Sequence, residues 1–296
     1  MKRFAQKIYV VIQLLGMSIL LTSRGLQAKV NTQSHIKKYV IGAHQGGFFA
    51  AFLAVLNHLA YCKQTQKIPV VYWDNRSWYY RKGGFNGSHN VWEYYFQPAS
   101  KLKYEPKKDK LNSSYGGPYN TFHYTDLDET TRHNAYNLIA KYIRINAIVQ
   151  RKIDNFYQKY MIGKHTIGIH LRGTDKFREV TPVSTEKIIA AALEHVNGDT
   201  QFFVASDEQQ LLEKAIELLD GYRVIFYDCY RSHDTNQPLH IKNSDITKPS
   251  FAQLGQDVLV EVSLFARCDV LVHTGSNVSA AAFYYNPSLK SVLVSG

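Results

Sequence analysis

The sequence predicts an α/β fold with two Rossmann-like domains facing a cleft, and three observations carry that prediction. From Lys164 onward, short β-branched runs alternate with amphipathic stretches of about a dozen residues, the pattern of a parallel sheet with crossover helices. Near Tyr39 a strand–Gly–Gly–helix–strand pattern opens a second body of the same kind. The charge is also divided: residues 1–160 hold 23 basic and 8 acidic residues, and the remainder holds 12 and 16, within a net charge of +11. Two bodies with different partners follow from that asymmetry. The expected division is 30–158 for a front domain and 159–296 for a back domain.

Taken in order, Tyr39 to His44 reads as the first strand, followed by Gln45-Gly46-Gly47 and an apolar helix from Phe48 to about Lys63. Ile68 to Trp73 reads as the second strand. Asp74 to about Thr130, rich in Tyr, Trp, Gly, Asn and Lys, has no clear period and is expected to be a long irregular insertion. A single helical stretch is expected from Glu129 to about Tyr160. Then come a strand at Thr166–Leu171, a helix at Ser184–His195 and a strand at Gln201–Ala205. Ser206 with Gln209 resembles a capping box that starts a helix to Leu219. Arg223–Tyr227 is a strand, Gly255–Ala266 a helix, Asp269–His273 a strand, Ser276–Tyr285 a helix and Ser291–Val294 the closing strand.

Residues 1–29 stand apart. Lys2, Arg3 and Lys7 precede an apolar run from Ile8 to Thr22, too short for the roughly 20 residues of a spanning helix. This predicts a signal peptide or short signal anchor, and with it export or membrane attachment. Cys62, Cys229 and Cys268 are too scattered for a disulfide framework or a zinc site. Hydrophobic residues at 45% and charged residues at 20% exclude wholesale disorder. No Gly-x-Ser-x-Gly elbow or Walker A loop is present, which argues against a serine hydrolase or a P-loop kinase.

The most informative segment is Gly168-Ile-His170-Leu-Arg172-Gly173-Thr174-Asp175-Lys176, at the carboxyl end of a strand, where doubly wound sheets bind ligands. An arginine there grips phosphate oxygens bidentately. A second segment, Thr274-Gly275-Ser276-Asn277, runs into a helix whose N-terminus favours an anion. Asp257 and Glu261 lie four apart, on one helix face, and either could meet the ring N–H groups of a base. Asn75, Asn86, Asn112 and Asn277 stand in glycosylation sequons. Asp126-Leu-Asp128 matches a short metal-binding signature, but three-residue patterns are common by chance and no clear strand precedes it. The basic, aromatic front half could suit nucleic acid, yet no nucleic-acid-binding signature accompanies it, and Tyr and Trp also stack on sugar rings.

His170-x-Arg172-x-Thr174-Asp175-Lys176 resembles the donor motif of the α-1,6-fucosyltransferases, including the rhizobial nodulation enzymes, over roughly Thr166 to Tyr285. The resemblance implies a GT-B-type glycosyltransferase that takes fucose from GDP-fucose without a metal or other cofactor, inverting the anomeric centre, and transfers it to a saccharide or glycoconjugate. It implies that Arg172 holds the β-phosphate, that His170 lies beside the nucleoside, that Glu261 reads guanine, and that Ser276 and Asn277 close over the diphosphate, with Gly173, Thr174 and Thr274 beside them. Two departures stand out. Gly173 replaces the motif's second arginine, and Glu179 follows Lys176 by three residues where the family's acidic base follows by four. Breaking a glycosyl–phosphate bond puts negative charge on the diphosphate, which Arg172 and Lys176 can stabilise. The acceptor hydroxyl needs a base, with Glu179 the first candidate and Asp175 the second. The competing expectation is a catalytically inactive sugar-nucleotide or glycan-binding protein of the same fold.

Overall fold

A computed structural model describes residues 37–173, 183–233 and 249–296. Strand β1 (Lys38–Ile41) leads through the glycine turn into helix α1 (Phe48–Gln64), whose Ala and Leu content favours helix and whose faces are buried along most of its length. Gln66, at φ 53°, takes the left-handed position that ends it. Strand β2 (Ile68–Val71) follows. The front sheet runs β2-β1-β3, its third strand being the two-residue β3 (Leu111–Asn112). β3 pairs in parallel with β1, Val40 opposite Leu111, and Asn112 Nδ2 donates to Val40 O at 2.8 Å.

The expected irregular insertion is irregular in backbone but not peripheral. It carries a 3-10 turn at Val91–Tyr94 and supplies Trp92, Tyr94, Tyr95 and Phe96 to the core. Trp92 stacks on Phe96 at 4.2 Å, and Phe48 of α1 meets Tyr95 edge-on at 4.8 Å.

The single helix expected over 129–160 is two: α2 (Glu129–Tyr142) and α3 (Ala147–Tyr160). The break has a local cause. Ile143 is extended, as a β-branched residue prefers, and Asn146 caps α3 by accepting from Ile148 N and Val149 N. The domain boundary expected after residue 158 falls in the last turn of α3.

The back sheet contains β4 (His165–Leu171), β5 (Thr200–Ser206), β6 (Arg223–Ile225), β7 (Val270–His273) and β8 (Lys290–Leu293), all parallel in the order β6-β5-β4-β7-β8. Helices α4 (Thr185–Leu193) and α5 (Gln209–Leu218) cover one face through Ile188, Ile189, Leu212 and Ala215 against Ile167, Ile169, Phe202 and Val204. Helices α6 (Phe251–Phe265) and α7 (Asn277–Tyr285) share the other face with Phe203, Ala205 and the front core. Alternate residues of β5 thus serve opposite faces, as the pleat requires. Chain order reverses between β4 and β7, so the crevice at their carboxyl ends is the topological switch point. Tyr39–Gly296 forms one compact unit.

Two sequence expectations shift. The proposed Ser206–Gln209 capping box is absent: Ser206 Oγ accepts from Glu208 N, and α5 starts after Glu208. Helix α6 begins at Phe251, earlier than the expected Gly255, because Ser250 caps it by accepting from Gln253 N. Among the described residues, no helix is long and apolar enough to cross a membrane.

Candidate functional site

A cavity of about 330 Å³ opens at the switch point. β4 brings His170 and Arg172 to its wall, β5 ends there in Ser206 and Asp207, and α6 contributes Asp257 and Glu261. Asn277 and Val278, at the start of α7, and Gly47 to Ala50, the first turn of α1, close the opposite side, with Trp78 and Tyr79 beside them. His170 points to the α6 face of the sheet because strand residues alternate. It is 7% exposed, its ring 5.8 Å from that of Phe265.

Five residues singled out in the sequence therefore converge: His170, Arg172, Asp257, Glu261 and Asn277. Gly173 lies just behind them, its N–H donating to Asp207 Oδ1 at 3.1 Å. Thr274 and Ser276 are not in the cavity wall. Ser276 is buried and its hydroxyl works within the helix start: Ser276 Oγ accepts from Ser279 N at 3.1 Å while Ser279 Oγ accepts from Ser276 N at 2.9 Å. This reciprocal cap fixes the turn that presents Asn277. Thr174, Asp175, Lys176 and Glu179 lie outside the described residues.

The wall's electrostatics are unusual in carrying several carboxyls out of water. Burial pushes Glu261 up to about 7 and Asp257 up to about 6. Arg231 opposes the shift at Glu261, with its Nη2 3.3 Å from Glu261 Oε1. Gln253 Nε2, donating to Asp257 Oδ1 at 2.7 Å, opposes the shift at Asp257. Glu208, buried against Gly173, is raised to about 7 by burial and then by the charge of Asp207. Arg231 and Glu208 escaped the sequence reading, since no motif or period marks them.

Other sequence candidates have structural employment. Asp128 caps α2, its Oδ1 accepting from Thr131 N at 3.0 Å and its Oδ2 from Thr131 Oγ1 at 2.6 Å. Asn86 Nδ2 donates to Tyr94 O at 2.8 Å and Gln256 Oε1 at 3.0 Å, so this sequon amide is already engaged.

No protein-family model and no curated protein matches the chain. Solved structures do. The NodZ α-1,6-fucosyltransferase soaked with GDP-fucose is 15% identical with a TM-score of 0.55, covering 85% of this chain and 93% of its own; the same enzyme is described from Bradyrhizobium. POFUT1 in complex with GDP is 11% identical with a TM-score of 0.52, covering 87% and 98%. A mutant of Arabidopsis thaliana FUT1 in complex with GDP is 12% identical with a TM-score of 0.51, covering 86% and 70%. The chain thus has the GT-B-type α/β fold of these fucosyltransferase structures. At such identities the likeness is one of fold.

Proposed function

We propose that this protein is a metal-independent, inverting glycosyltransferase that moves a sugar, fucose in the first instance, from a GDP-sugar to a saccharide or glycoconjugate. The observation that carries the reading is the convergence of His170, Arg172, Glu261 and Asn277 on one cavity at the switch point of a parallel sheet. The fold likeness to proteins solved with GDP or GDP-fucose supports the choice of nucleotide.

The chemistry follows from the charges. A carboxylate wall suits the N–H edge of a base, and a guanidinium suits the diphosphate. The leaving diphosphate gains negative charge in the transition state, so fixed donors aimed at it lower the barrier. Arg172 is one such donor. The start of α7 is a second, and the first turn of α1 a third, since no side chain caps its N-terminus at Gly47. Trp78, 37% exposed at the cavity wall, and the nearby exposed Tyr80 offer flat apolar faces to an acceptor sugar. Glu179, then Asp175, remain the proposed bases, and the front domain the proposed acceptor side. Residues 1–29 are proposed to direct export or membrane attachment.

A thermal-shift panel of GDP, UDP, CMP and their sugars tests the reading. GDP should raise the melting temperature, by the equivalent of about 2.7 kcal/mol at a hundred times its dissociation constant. UDP and CMP should be inert, and EDTA should leave transfer intact. GDP release from GDP-fucose in water separates an enzyme from a binding protein. Manganese-dependent transfer from a UDP-sugar would overturn the proposal.

A further inference from the structure

The carboxylate wall of the cavity is organised by a buried guanidinium. Arg231 follows β6 and has 4% of its side chain exposed, against 12% for Glu261. Its Nη2 donates to Tyr227 O at 2.8 Å and to Glu261 Oε1 at 3.3 Å, and its Nη1 to Cys229 O at 3.1 Å. Its Nε is buried with no hydrogen-bond partner among the described residues. An incompletely satisfied buried arginine is a poor device for stability, because an apolar side chain of similar size serves as well. Its charge bears on Glu261, which it touches, and also on Asp257.

Burial and two neighbouring carboxyl groups oppose a charge on Glu261, and the Cys229 thiol joins Arg231 in favouring it. Asp257 lies one turn earlier on α6 and Asp207 at the end of β5, and both repel a second carboxylate. Cys229 Sγ is 3.4 Å from Glu261 Oε1 and donates to it, with its thiol pushed far above its ordinary range by burial. Lys152 of α3 and Asp228 bear on Asp257. Arg231 is the cation that touches Glu261, and His170 and Arg172 line the same cavity from the end of β4.

We propose that Arg231 is the positioning residue that sets the preference for guanine, by holding Glu261 as a carboxylate in the cavity wall. This rests on the reading of the cavity as a nucleoside-diphosphate site. Guanine presents two N–H donors side by side, which one carboxylate accepts together. Adenine presents an acceptor and a donor on the corresponding edge, and a neutral carboxyl group loses the advantage for guanine. Arg231 is thereby a determinant of selectivity that touches no ligand.

The test is calorimetric titration of GDP and ADP from pH 6 to 8.5, below the ionisation of guanine N1. ADP carries the same diphosphate, so phosphate titration cancels in the ratio of affinities. In the native chain the GDP preference should fall about tenfold per pH unit below neutrality. Arg231→Gln should move that midpoint up by a unit or more, costing about tenfold in preference at pH 7 and recovering it at pH 8.5. Arg231→Lys should keep most of the native profile. Glu261→Gln, which cannot titrate, should give a low preference that is flat with pH. A merely structural arginine would lower affinity at every pH. The proposal is overturned if Arg231→Gln keeps the native midpoint, or if Glu261→Gln keeps the slope. Should Arg231→Gln fail to fold by circular dichroism, Arg231→Lys and Glu261→Gln decide alone. A native chain that binds neither nucleotide overturns the reading of the cavity, and this inference with it.

Discussion

Gly173 and Glu208 meet at the ends of β4 and β5, and a Cβ added to Gly173 would run into the Glu208 carboxyl group. The fucosyltransferase motif resembled here has an arginine at that position, and in this chain the space is taken. The atoms in the way are the far end of a flexible side chain, so Gly173→Arg should cost under about 1 kcal/mol as the Glu208 carboxyl group turns aside to meet the new guanidinium. Urea denaturation of the native protein and the variant checks this, and a loss of several kcal/mol would refute it. Arg172 tests the chemistry of the same strand end. Arg172→Ala should reduce turnover on the order of a hundredfold, and Arg172→Lys should recover little, because an ammonium lacks the planar fork. Activity and melting temperature measured on the same samples separate lost chemistry from lost fold.

At the scale of elements, α6 carries the greatest burden. It faces the cavity with Asp257 and Glu261 and packs into the front core with Leu259, Val260 and Leu264. Its approach to the 3-10 turn is close enough that Gly255 has no room for a side chain: a Cβ there would stand 2.6 Å from Tyr95 Oη and 2.9 Å from Tyr79 Cδ1. Tyr95 Oη donates to Ala252 O at 3.1 Å and holds the contact. Gly255→Ala should therefore destabilise the fold by about 1–3 kcal/mol, despite alanine's better helix propensity. An unchanged melting temperature would show that α6 has slack at this contact. Because α6 positions Asp257 and Glu261, the same variant should also weaken GDP binding.

Across the whole molecule, burial of acids gives stability a definite pH trend. Glu208 and Glu261 stand near 7 and Asp257 near 6, all raised by desolvation above their ordinary carboxyl values. A carboxyl raised in the folded state contributes stability that is complete below its unfolded pKa and is lost as pH rises through its folded pKa. His44 and His58, lowered by burial, act in the opposite sense, and their effect fades as pH rises past about 6.5, where the unfolded imidazoles lose their protons too. The lowered carboxylates, such as Asp154 beside Arg267, act only in acid. From about pH 6.5 to 8 the ligand-free protein should lose thermal stability, and the combined Glu208→Gln and Glu261→Gln variant should lose less. Differential scanning fluorimetry across that range measures it, and a melting temperature that rises with pH would contradict it.

The alternation of apolar runs and the caps written into the chain determined the back sheet, because a strand's period and a helix's start depend on neighbouring residues. Strands β4, β5 and β7 and helix α7 stand within a residue or two of where the sequence puts them. The same holds for His170 and Arg172, which owe their position to the end of a strand. The sequence misjudged what depends on distant partners. The break at Ile143–Asn146 is held partly by Asn146 Nδ2 donating to Tyr94 O at 2.7 Å, and the short β3 exists only by pairing with β1. Likewise, Arg231 beside Glu261 and Glu208 against Gly173 are juxtapositions made by crossover connections. Local chemistry chose the elements and the residues that stand at the strand end. Only tertiary packing decided which charges are buried together, because the cost of burying a charge is set by its neighbours in space rather than in sequence.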